Sequence, residues 1–164
     1  MKILKGVLAV VVLGLVVIQF IRPTRHALPD DPSKDFVHQL RPPQQVETIL
    51  RASCYDCHSF ETRYPWYAEV QPVGWWMDGH IQTARRELNF SEFGSYRLRR
   101  RFIKLQQMGE QVDQGDMPLP SYLIIHTDAK LSQEQKDLLI QWVNATRDSI
   151  AANAPPDSLA RRQQ

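Results

Sequence analysis

At 164 residues the chain accommodates one domain with appendages but not two full domains, and its 43% hydrophobic and 23% charged content is that of a folded protein. The net charge is +2, yet Lys2, Lys5 and Arg22 fall in an acid-free first 22 residues, so the remainder, with 17 basic and 18 acidic side chains, stands at −1. A near-neutral body excludes a broad electrostatic affinity for nucleic acid, which is not expected as a partner.

The chain opens with "MKILKGVLAVVVLGLVVIQFIRPTRH", in which Lys5 is the only charge between Ile3 and Ile21. Those nineteen residues would make about 28 Å of helix, close to the hydrocarbon thickness of about 30 Å. The run ends in bulky and then basic residues, without the small-residue site that a cleaved signal peptide needs. The expectation is an uncleaved transmembrane helix over residues 1–22, making the protein single-pass with the membrane as one partner. Basic residues flank both ends, so charge bias leaves the orientation open. Residues 23–42, with four prolines and a patch of Asp and Ser, read as a tether.

The body, residues 43–150, reads as helices joined by loops. The first helix covers about 43–52, with proline at its start and Val46, Ile49 and Leu50 on one stripe. A second spans about 74–88, with Trp76, His80, Ala84 and Leu88 on one face. A third spans about 95–112, through Leu98, Phe102, Leu105 and Met108. The last opens at Ser132 with Gln135 in a capping-box arrangement and turns Leu138, Leu139, Trp142 and Val143 inward. Residues 151–164 lose periodicity and read as a disordered tail. The fold class is all-α.

Both cysteines of the chain lie in "RASCYDCHSF", as Cys54 and Cys57, followed at once by His58. Three chemistries compete for them. A disulfide or dithiol redox pair normally sits in a βαβ context and gives His58 no role. A structural zinc site wants four ligands, and no second C-x-x-C or H-x₃-H pair completes one. In C-x-x-C-H the two thiols form thioethers to the haem vinyl groups, and the histidine donates a ring nitrogen to iron; only this reading uses all three residues.

The stretches "CYDCHSFETRYPWY", "GHIQTARRELNFSEF" and "MPLPSYLIIHTDAKLS", with Trp142 beyond them, resemble the haem-binding domain family of small membrane-anchored bacterial c-type cytochromes, over about 43–144. The first motif is shared by cytochromes c in general; the other two are more particular to the family. The resemblance implies a cytochrome-c-like helical fold around one covalent haem c. It also implies placement in the bacterial inner membrane with the haem domain in the periplasm.

For the sixth iron position the residues offer several candidates. Met117 lies in the proline-stiffened loop "GDMPLPSY" and is the preferred partner of His58, since preset backbone angles would keep its sulfur over the iron. His80 is the runner-up, on the apolar face of the second helix. Met108 reads as core, the side taken by Met77 is undecided, and His26, His38 and His126 read as non-ligands. A His58/Met117 pair argues for an electron carrier serving redox partner proteins, not for an enzyme. An exchangeable sixth position would argue for a haem enzyme or a gas or redox sensor. The basic run Arg97, Arg99, Arg100, Arg101 and Lys104 reads as a solvated face, or as a docking or propionate-binding patch. Tyr64, Trp66, Tyr67, Trp75 and Trp76 are expected to pack around the macrocycle.

Overall fold

The computed structural model describes residues 1–25 and 31–160. Among them run α1 (Lys2–Ile18), α2 (Phe36–Leu40), α3 (Gln44–Ser53), α4 (Tyr55–His58), α5 (Val73–Glu87), α6 (Leu98–Gln114), α7 (Pro120–Leu123) and α8 (Gln133–Ala152), with short 3₁₀ turns between several of them. No strand occurs among the described residues, in keeping with an all-α chain.

The core begins where the sequence pattern is plainest. Val46, Ile49 and Leu50 of α3 are all buried, as their spacing requires, and meet Leu139 and Val143 of α8. The most extensive helix pairing is α6 on α8. α6 faces Val143 there with Gly109, where an added Cβ would lie 3.5 Å from Val143 Cγ1, in ordinary van der Waals contact. Ser132 caps α8: its hydroxyl accepts from the Gln135 N–H, and Gln135 Oε1 accepts from the Ser132 N–H. Gly115, at φ +78°, ends α6 in the left-handed conformation that glycine adopts without a Cβ clash.

The expected transmembrane helix is not present. α1 stops at Ile18 after 17 residues, about 25 Å and short of the roughly 30 Å hydrocarbon layer. No helix among the described residues is long and apolar enough to cross a membrane, which overturns the single-pass, inner-membrane placement with it. The physical reason is Gln19. Its side-chain amide donates to Leu15 O and to Gln71 O, while its Oε1 accepts from the Gln71 N–H at 2.8 Å. Trp75 Nε1 then donates to Ile21 O at 2.7 Å. Residues 19–21 thus join the helix to the domain instead of extending it.

The expected tether is also corrected. Asp35 caps α2 through the N–H groups of Val37 and His38 and accepts from the Tyr55 hydroxyl at 3.0 Å. Phe36 is fully buried, its ring 4.5 Å from Phe90 and 4.6 Å from Phe93. Asp35 and Phe36 belong to the core, and Asp31 and Asp35 cap the short helical turns that begin at Pro32 and Phe36. Residues 26–30, with His26, and the tail residues 161–164 lie outside the described residues. Of the expected tail, Ala151 and Ala152 still belong to α8 and the described residues after them form turns, with Arg99 donating to Leu159 O.

Two helix faces are rotated from expectation. α5 buries Gly74 and Ile81, with Leu88 just beyond its end, while Trp76 is exposed. Gly74 sits so close to the Ala68 carbonyl that a Cβ would overlap it, and this close approach sets the inward face. α6 buries Leu105, Gly109 and Val112, leaving Leu98, Phe102 and Met108 half-buried. Trp66 and Trp75 are exposed together with Trp76, so three of the aromatics expected around a macrocycle line the outside.

Candidate functional site

α3 delivers the chain into the cysteine motif. Cys54 is the joint between α3 and α4, and the N–H groups of Cys57 and His58 both donate back to its carbonyl, at 3.2 and 3.0 Å. That single turn is pinned from all sides. Ser59 donates its hydroxyl to Tyr55 O; Thr62 donates to Asp56 O; Arg85 of α5 donates to Ser59 O and to Thr62 Oγ1, both at 2.9 Å. The Phe60 N–H donates to Ser91 Oγ.

His58 is aimed by its surroundings. Its Nδ1–H donates to Leu88 O at 2.8 Å, and its ring lies 5.7 Å from that of Phe90. With Nδ1 committed, Nε2 carries the lone pair, which is the tautomer an axial histidine needs. Burial holds its pKa below the ordinary imidazole value, against hydrogen bonds to the Leu88 and Ala84 backbone that act the other way. A neutral ring is the ligating form.

His58, Cys54, Met117 and Met108 line one cavity of about 460 Å³, within the range of about 300–1,000 Å³ usual for cofactor and ligand sites. Leu88, Phe90, Val112, Pro118 and Leu131 give it apolar walls, and Glu87, Lys104, Gln107 and Gln111 give it a polar edge. Met117 reaches it because α6 ends sharply: beyond Gly115, the N–H groups of Asp116 and Met117 both donate to Gln111 O, at 3.0 and 3.1 Å. Met108, read from sequence as core, is a second thioether on this cavity.

Cys57 lines a different, smaller cavity of about 100 Å³, with Trp76, Met77, His80, Tyr67, Tyr122 and His126. The sequence candidates are therefore divided. Cys54, His58 and Met117 come together; Cys57 and the runner-up His80 face the second space. His80 donates its Nδ1–H to Trp76 O within its own helix.

The thiols are free. Burial pushes Cys54 to about 12 and Cys57 to about 11. This is the opposite of the lowered thiol of a C-x-x-C redox module. Among the described residues no three His, Cys, Asp or Glu side chains gather to hold a metal ion by themselves. Of a haem-type donor set, the His58 imidazole, the Met117 thioether and the Cys54 thiol share the larger cavity, while the Cys57 thiol opens on the smaller one. The larger cavity is the one whose lining could hold a large planar group.

Of the basic run, only Lys104 lines that cavity, paired with Glu87 at 3.0 Å. Arg100 lies over the Tyr96 ring at 3.9 Å, and Arg101 donates to the carbonyls of Tyr96 and Gly94. Sequence reasoning missed Leu88, Ser59, Thr62, Arg85 and Ser91 as the groups that set the motif. The small hydroxyl residues directly after His58 were the available signal.

The family described as a haem-binding domain matches residues 13–145. That is most of the chain, which therefore belongs to this family. No curated protein and no solved structure matches it.

Proposed function

We propose that this member of the haem-binding domain family carries one haem c, joined through thioethers to Cys54 and Cys57, with His58 and Met117 on the two faces of the iron, and that it transfers single electrons. The observation that carries this reading is the shared cavity of His58 and Met117, with His58 Nδ1 already held by Leu88 O. The bound haem would supply the redox chemistry, its iron taking up one electron and releasing it again.

The protein's part is to bind and to orient. Leu88 O keeps the His58 ring from rotating and increases the basicity of its free nitrogen. The Arg85–Ser59–Thr62 contacts hold the turn that sets both sulfurs. The apolar walls exclude water, which limits reorganisation when the charge changes. A thioether opposite imidazole raises the potential relative to two imidazoles, and a filled coordination sphere resists substrate. The reading is thus of a carrier, not an enzyme, working with redox partner proteins and not with nucleic acid. Arg99 and Arg101 donate to the backbone of Leu159 and Tyr96, while Arg97 and Arg100 of the same run stay exposed.

Intact mass and a pyridine haemochrome of matured protein test the attachment: the chain plus one haem is expected, and bare polypeptide mass ends the proposal. Optical spectra of Met117→Ala test the ligand. Loss of the thioether–iron signature is expected; an unchanged low-spin ferric spectrum would remove Met117 from the site.

A further inference from the structure

Two loops flank the cysteine turn, one following His58 (residues 59–72) and one carrying Met117 (residues 115–131). They are clipped together beside the Cys57 cavity. The Tyr67 hydroxyl and His126 Nε2 are hydrogen-bonded. The His126 ring stacks on Tyr122, centroids 4.1 Å apart and planes 12° apart. Tyr122 donates its hydroxyl to Asp56 Oδ2 at 3.3 Å. Asp56 is itself fixed by Arg63, whose backbone N–H and guanidinium both donate to it at 2.9–3.0 Å. Tyr122 and His126 stand five and nine residues beyond Met117. On the other side, Met117 is tied by its own N–H to Gln111 O.

The loop is therefore fastened at both ends with Met117 between the fastenings. The downstream one is made of side chains only, whereas the upstream one is the backbone closure of α6. Around it the residues are among the least buried of the domain: Ile124 is 77% exposed and Ile125 63%. Met117, Pro118, Ala129 and Leu131, at the two ends of the loop, pack into the apolar interior, so between them the polar clip is what holds residues 121–126.

We propose that Tyr67, Tyr122 and His126 are positioning residues that latch the Met117 loop and so decide whether the sixth iron position is filled. They ligate nothing themselves. The inference rests on Met117 as the sixth ligand, and it adds a specific way to turn a carrier into a ligand-binding haem protein: release the latch and the thioether leaves the iron part of the time.

The test uses the full-length, haem-loaded protein. His126→Phe keeps the stack on Tyr122 and deletes the bond to Tyr67, while Tyr67→Phe deletes the same bond from its other end. Three readouts are taken: the ferric thioether–iron charge-transfer band, the rate of carbon monoxide capture by the ferrous protein, and the denaturant midpoint. Loss of one neutral hydrogen bond shifts a local opening equilibrium by about fivefold, so each variant is expected to capture carbon monoxide about fivefold faster with a weakened band. The double variant should be no faster than either single one, because both remove one bond. Wild-type band and capture rate in both single variants, with or without a lower midpoint, overturn the latch and leave a packing role only. Met117→Ala separates the two levels of the inference. If it abolishes the band while the latch variants do nothing, the ligand stands and the latch falls; if it leaves the band unchanged, both fall.

Discussion

The two halves of this domain treat their large side chains in opposite ways. Around α2, α3 and α8, Phe36, Val46, Leu50, Leu139 and Val143 have no solvent exposure at all. Around residues 66–76 and 124–125, Trp66, Val70, Val73, Trp75, Trp76, Ile124 and Ile125 face outward, and after Ile21 these are the exposed large apolar residues of the described chain. In the first half, apolar burial sets the geometry. In the second, hydrogen bonds to fixed carbonyls and carboxylates set it, and the cavities lie where the two regimes meet. A site that must admit a large planar group is easier to build against a wall that is already solid, with a far side held by removable clips.

Substitutions in the two halves should then separate cleanly. Phe36→Ala removes a fully buried ring from the aromatic knot and is expected to cost about 3–5 kcal/mol, read as a lower urea midpoint at unchanged m-value. A loss below about 1 kcal/mol would return residues 35–40 to the status of a spacer. Tyr55→Phe takes the hydroxyl from the buried Asp35 carboxylate, and a hydrogen bond to a charged group is worth about 1.5–3 kcal/mol. Gly115→Ala forces a Cβ into the left-handed region at about 1–2 kcal/mol. Its larger effect should be local, a weakened thioether–iron band, because the turn that aims Met117 is disturbed. Trp66→Ala, an equally large aromatic that is 80% exposed, should change stability by less than about 0.5 kcal/mol. Were Trp66 and Phe36 to cost alike, the division into halves would be wrong.

Much of the solid half was legible in the sequence. The Val46, Ile49, Leu50 stripe and the Ser132–Gln135 box are local patterns, and local patterns survive folding. The cysteine–histidine motif is legible for the same reason. What escaped depends on partners distant in sequence. Leu88 offers His58 a backbone carbonyl, which has no residue signature. Phe36 is one aromatic among prolines and acids, and its burial follows from Phe90 and Phe93, more than fifty residues away. On α5 and α6, apolar periodicity pointed to the bulky residues, whereas the inward faces carry Gly74, where two backbones come close, and Gly109. Hydropathy likewise extended α1 through Ile21, since it assigns no weight to an amide such as Gln19 finding a backbone to grip.

That amide has a mechanical consequence. Gln19 holds Leu15 of its own helix and both backbone groups of Gln71 at once, so α1 is keyed to the segment that walls the Cys57 cavity and cannot spin freely on its axis. Torque applied to α1 is geared straight into residues 66–76, and α1 serves as a handle whose heading fixes which way that wall is turned.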